Sequence, residues 1–382
     1  MKKTFIKPII FMFLLLLVYF SIPAENLETP LKNIMPGRIF LVDNEGNFFI
    51  SSGSHAIAKY SPNGEFLLKM GQKGEGPGDI KRLGWFALHP KDDLIYVTEF
   101  YSGNKWISKF SRDGNYLGHW KCDLDRSKYD GISFINFDKN GNVYVETVKS
   151  HYKKYKDFSI GSVENHLLKF SPEGKRLKKI YTFTDDFNAE KRGKGNITIP
   201  FSNYLYWTVF NDKIIVRENR DDFIRIYNTD GNLVKKIFLT FKKEKISNKD
   251  LDEWETQLKS VPWIKQGIAE GWFDLKYWRK RLPFPEYKPV SGSLMFIDSH
   301  GFLYSSKHPG YNLMENKWAK IDMASGNVQV VRLKPGEKIL AIWKDYFFII
   351  RTEDNDESIV IKINEKNIFK RAIPAAQREG IK

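Results

Sequence analysis

Beyond its first thirty or so residues, the chain is written in short apolar runs separated by turn-forming residues, the pattern of strands rather than helices. One unit recurs. Ile57-Ala58-Lys59-Tyr60-Ser61 leads into Pro62-Asn63-Gly64, and Leu167-Leu168-Lys169-Phe170-Ser171 leads into Pro172-Glu173-Gly174. Further copies are centred on Phe110, Tyr227, Ile321 and Ile363. Each copy follows a second hairpin, clearest where Asp43, Asp138 and Asp298 end an apolar run and Gly46, Gly141 and Gly301 turn the chain back. Glycine and asparagine suit these turns because they tolerate positive φ or bond their own backbone. Each unit therefore predicts four short strands.

The equivalent positions Tyr60, Phe110, Phe170, Tyr227, Ile321 and Ile363 are spaced by 50, 60, 57, 94 and 42 residues. The long step contains an insertion over residues 241–290; without it, that step matches the others. Four-stranded units at this spacing are the signature of propeller blades. The expectation is an all-β, six-bladed β-propeller of four-stranded antiparallel blades over residues 25–382, with a helical insertion between blades four and five. A two-sheet sandwich is the alternative, but it gives no reason for the same two turns to recur in the same order. Each unit supplies its own four strands, so an exchanged terminal strand is not demanded. Residues 25–34 are nonetheless placed to pair with the last blade near 368–373.

The composition then acquires a cause. Phe 29, Tyr 18 and Trp 10 make the chain 15% aromatic. Blades that pack face to face bury both sides of a strand, and rings fill the space between them.

The first unit resembles the NHL-type repeat of six-bladed propellers. The resemblance rests on Asp43, Gly46-Asn47, the loop Ser52-Gly53-Ser54-His55, Lys59-Tyr60, Asn63-Gly64 and the loop Gly71 to Gly78. It covers three units well and three loosely. Exported bacterial six-bladed propellers with this Gly-Pro-Gly loop are the nearest in pattern, most without an assigned activity. The arginine that often opens the third strand is replaced here by Ala56, Trp106, His166 and Phe223. The resemblance implies a fold and carries no catalytic residue across, because such propellers include lyases, lactonases, sensors and binding scaffolds.

Lys2, Lys3 and Lys7 precede an apolar run from Ile9 to Phe20, and Ala24 offers a small-residue exit. That is the form of a secretory signal over residues 1–24; an uncleaved anchor is the alternative. No cysteine stands at the exit, so a lipoprotein is not expected. The expected location is extracytoplasmic, in a bacterial periplasm or at a cell surface. The single cysteine, Cys122, allows no internal disulfide. The net charge is +15, and +12 without the signal. Such a charge bears on partners rather than on fold.

Candidate chemistry is thin. The seven histidines show no metal-ligand spacing. No cofactor is required, although a Ca, Zn or Mg ion in the central channel is left open. Gly71 to Gly78 lacks the helix a phosphate loop needs and reads as a crossing between blades. The turn aspartates read as caps. The recurring Lys59, Lys109, Lys169, Lys320 and Lys362 read as solvated strand edges. Two clusters stand out as a candidate binding surface. One is the run containing Lys153, Lys154 and Tyr155, read as a loop between strands. The other is the insertion, where Ser247 caps a helix that Pro262 ends, and which carries Trp254, Trp263, Trp272 and Trp278. No catalytic residue is assigned. The function expected is an exported scaffold that recognises a protein or envelope glycan ligand, an acidic envelope component among the candidates, with peripheral membrane-surface contact left open and nucleic acid made unsuitable by export. A metal-dependent lyase or lactonase-like hydrolase at the channel mouth is the alternative. Removing residues 245–285 is expected to leave a folded propeller that no longer captures its partner.

Overall fold

The computed structural model describes residues 28–31, 40–99, 106–125, 127–191, 193–239, 241, 243–298, 300–307, 317–334, 336–352 and 358–368. The expected signal lies outside them. Among the described residues, no helix is long and apolar enough to cross a membrane.

The strands form six antiparallel sheets in chain order. The first contains Phe40–Val42, Phe48–Ser52, Ala56–Tyr60 and Phe66–Met70; the second contains Leu83–Leu88, Ile95–Glu99, Trp106–Phe110 and Tyr116–Lys121. The fourth contains Leu205–Phe210, Lys213–Glu218, Phe223–Asn228 and Leu233–Phe238; the fifth contains Ser291–Ile297, Phe302–Lys307, Lys317–Asp322 and Val328–Arg332. The third sheet departs from expectation. Its strands Val143–Lys154, Ser159–Phe170 and Arg176–Lys191 run 12, 12 and 16 residues, and Gly195–Thr198 adds a fifth strand beyond the opening Gly131–Phe137.

The sixth sheet also corrects the sequence reading. Glu337–Trp343, Tyr346–Thr352 and Ser358–Asn364 supply only three strands, and Glu28–Leu31 pairs onto the outside as the fourth. The register sets Glu28 against Ile363 and Leu31 against Val360. The N-terminal strand thus joins residues 358–364, not 368–373. Pro30 sits in this edge strand, where a missing N–H is tolerated.

Six apolar clusters lie between successive sheets. Phe49 and Met70 meet Phe86 and Val97 between sheets one and two. Sheets two and three meet around Trp120 and Phe170, three and four around Tyr144 and Tyr227, four and five around Ile226 and Leu303. Trp318 and Phe347 join five to six, and Phe348 meets Phe40 and Phe48 between six and one. The packing order is cyclic, and the protein is all-β and propeller-like.

The turn aspartates cap as expected. Asp43 Oδ1 accepts from the N–H of Glu45 and Asn47, both at 2.9 Å. Asp138 and Asp298 repeat the arrangement, and each also accepts the hydroxyl of Tyr144 or Tyr304 at 3.2 Å. Gly71 to Gly78 crosses from sheet one to sheet two, held by Asp79, which accepts from Gln72 and from the N–H of Gly76.

Three of the repeated lysines, Lys59, Lys169 and Lys320, are not solvated edges. Lys59 is buried and donates to the Arg112 carbonyl of the next sheet at 3.2 Å. Lys169 donates to Thr229 O at 3.0 Å in sheet four, and Lys320 pairs with Glu365 beyond the last strand of sheet six. An ammonium in this interior persists because it meets a carbonyl or carboxylate and lies over rings such as Phe49 and Tyr144.

Leu31 is buried in the cluster between sheets six and one. Leu31→Ala should lower the unfolding free energy by about 2–4 kcal/mol, and deletion of residues 28–31 by more. Urea denaturation measures this; an unchanged midpoint would show that the N-terminal strand contributes nothing to closure.

Candidate functional site

In an antiparallel four-stranded sheet, the first-to-second and third-to-fourth turns share one rim. The second-to-third connections and the crossings between sheets share the other. On the first rim lie the short Asp and Gly turns. Everything elaborate lies on the second: the long hairpin of sheet three, its fifth strand, and three helices between sheets four and five.

The helices form as their sequence directs. Ser247 caps α1 (Asn248–Ser260) with a capping box closed by Asp250. Pro262 does end that helix, but it also opens α2 (Pro262–Ala269) at the first turn, where its missing N–H is harmless. Asp274 caps α3 (Leu275–Arg281). Arg279 on α3 clamps Asp252 and Glu255 of α1 at 2.6 and 2.9 Å.

These helices pack onto the extension of sheet three rather than on the sheets that flank them in sequence. Trp254, Ile264, Phe273 and Trp278 share a core with Ile160, Ala189 and Ile197. The Trp278 indole N–H donates to Lys194 O at 2.7 Å, and Lys194 pairs with Asp274 at 2.9 Å. Gly195 leaves the space that Phe273 fills; a Cβ there would stand 2.4 Å from its ring. The two clusters read separately from the sequence are therefore parts of one body.

That body sorts the candidate residues. Trp254 and Trp278 are 3% and 0% exposed, so neither can serve as contact surface; they are the core that mounts the helices. Deleting residues 245–285 would uncover Ile160, Ala189 and Ile197, so the excision expected to be clean would damage sheet three. Trp263 and Trp272 remain 49% and 38% exposed. Lys153, Lys154 and Tyr155 end a regular hairpin rather than an irregular loop. Lys153 pairs with Asp186 at 3.1 Å, Lys154 is exposed, and Tyr155 stacks on Phe158 at 4.9 Å, which in turn meets Trp278.

A second constellation went unread in the sequence. Glu146, Tyr206, Trp207, Arg217 and Ser305 gather on the first and second strands of sheets three, four and five. Glu146 is buried and accepts from the Trp207 indole at 2.7 Å; burial pushes its carboxyl up to about 7 against the hydrogen bonds. Arg217, also buried, donates to the Ser305 hydroxyl and lies 5.1 Å from the Tyr206 ring; desolvation lowers its guanidinium to about 10. The available signal was a charge interrupting an apolar strand, in Val143-Tyr144-Val145-Glu146 and Ile214-Ile215-Val216-Arg217. Chemically, Glu146 can hold or release a proton near neutrality, and both charged groups tie one sheet to the next.

The histidines find local partners. His55 meets Ile80 O, His119 meets Tyr116, His300 meets Asp345, and Glu164 lies between His151 and His166. His308 lies outside the described residues. Among the described residues no three His, Cys, Asp or Glu side chains come together to hold a metal ion.

The chain matches no protein-family profile, and no curated protein matches it by sequence. Solved structures do resemble it. A member of the duf4221 family from Bacteroides vulgatus ATCC 8482 is 9% identical over 88% of this chain and 95% of that one, with a TM-score of 0.51. A Bacteroides fragilis NCTC 9343 protein whose description proposes export is 13% identical over 90% and 96%, with a TM-score of 0.49. A protein proposed to be a gluconolactonase is 8% identical over 90% and 93%, with a TM-score of 0.46. At these identities the likeness speaks to fold alone.

Glu146→Gln keeps an acceptor for Trp207 and removes the titration. A carboxyl raised in the folded state stabilises fully below its unfolded pKa, and that contribution is lost as pH rises to about 7. Relative to the native chain, the variant should therefore gain about 2–3 kcal/mol between pH 5 and pH 8. Urea denaturation at the two pH values reads this directly; a constant difference would place Glu146 in solvent contact.

Proposed function

We propose that this chain is an exported, six-bladed, NHL-like propeller whose ring, interrupted by one helical insertion, serves as a rigid mount for binding an envelope macromolecule. The cyclic order of the six inter-sheet clusters supports the blade count, and the Asp and Gly turns support the repeat type. The basic, apolar N-terminal segment supports export. One observation carries the binding reading: two half-exposed tryptophans, Trp263 and Trp272, held on a body that buries its other two. Exposed indoles on a rigid mount are the usual anchors of recognition.

A hydrolase reading draws on a different observation, the near-neutral carboxyl of Glu146 held by the Trp207 indole. It expects stoichiometric Ca, Zn or Mg in purified protein if the chemistry is metal-dependent, which elemental analysis measures.

Under the binding reading, Trp263→Ala/Trp272→Ala should weaken capture of an envelope component about tenfold or more. Val234→Ala, an exposed change on sheet four, should leave capture intact. Pull-down from envelope extract with each variant is the measurement, and equal capture by all three proteins would overturn the reading.

A further inference from the structure

Trp263 and Gly267 stand four residues apart on α2 and so share one face. Gly271, at φ +80°, turns the chain back after the helix, and the Phe273 N–H closes onto Gly267 O at 3.0 Å. This return lays Trp272 over Gly267. A Cβ on Gly267 would stand 2.8 Å from the indole and 2.9 Å from the Phe273 Cβ, so only glycine leaves room for both. The two indoles are 6.4 Å apart and within 10° of parallel, and both meet Phe273 edge-on. The Trp272 indole N–H donates to Glu270 Oε2 at 2.8 Å, and Gln266 donates to Glu270 Oε1 at 2.7 Å. These bonds hold the Glu270 carboxyl below its ordinary range, so it is an ionised acceptor at the edge of the rings.

We propose that Trp263 and Trp272 form a stacking platform for a neutral polysaccharide, a step that rests on the binding reading above. A pyranose ring presents C–H bonds on its faces and hydroxyls around its edge. Parallel, exposed indoles take the faces, and the Glu270 carboxylate and Gln266 amide take the hydroxyls. The size of the patch favours this occupant. Trp263, Trp272 and Ile268 are the large apolar side chains exposed on this segment, whereas a stable protein interface needs roughly 800 Å² from each partner. Charge favours it too. Glu270 at the platform's edge repels an acidic polymer or an anionic lipid surface, despite the positive charge of the chain as a whole.

Affinity electrophoresis of the purified protein tests this in gels containing hydroxyethylcellulose, laminarin or mannan, with polygalacturonate and phosphatidylglycerol vesicles as competing classes. At least one neutral polymer should retard the native chain. Trp263→Ala, Trp272→Ala and Gly267→Ala should each weaken that binding about tenfold, with circular dichroism unchanged. Gly267→Ala displaces the Trp272 indole without removing one, but it also crowds Phe273, so the two tryptophan variants are the decisive arms. The proposal is overturned if no neutral polymer retards the chain, if the variants bind as well as the native protein, or if polygalacturonate or the vesicles bind more tightly. Should it fall while the double tryptophan variant still loses capture from envelope extract, the binding reading survives; should capture also be unchanged, both fall.

Discussion

The middle strands of each sheet are buried on both faces by the neighbouring sheets, and the rest of the structure depends on that constraint. A strand covered on both sides cannot alternate apolar with polar. Phe48, Phe49 and Ile50 are accordingly almost wholly buried, as are Phe347, Phe348 and Ile349. Packing alone leaves the turn carbonyls at the sheet margins to be satisfied. The repeated third-strand lysine meets that need from one sheet to the next, as Lys59 and Lys169 do. Where the fourth unit has Ile226 instead, Lys235 reaches Ala324 O of sheet five at 2.9 Å. From sheet two, the Trp120 indole reaches Pro172 O at 2.7 Å. The donor changes while the tie is kept.

Closure has a further consequence at the ends of the chain. Glu28–Leu31 completes a sheet whose other strands come from residues 337–364. Joining the two ends buries an edge that would otherwise present unpaired backbone.

The two rims have different tasks. Short Asp- and Gly-turns occupy one and leave little room for variation. The other carries the extended third sheet and the helices, joined by Trp278 to Lys194 and by Phe273 over Gly195. Glu146 and Arg217 lie beneath, linking sheets three, four and five by hydrogen bonds to Trp207 and Ser305. Recognition elements on such a mount keep their geometry because the strands below them cannot shift independently.

The sequence by itself determined the repeat, its turns and the helix caps, since these depend on residues within a few positions of one another. Asp43 bonding Asn47 and Ser247 bonding Asp250 are such cases. The tertiary structure alone decided which tryptophans are surface. Trp254 and Trp278 face Ile160 and Ala189, about a hundred residues away, while Trp263 and Trp272 do not. It also decided that Lys59, Lys169 and Lys320 point inward and that Glu28–Leu31 closes the last sheet. Burial is set by the neighbour across a gap, and that neighbour is distant in the chain.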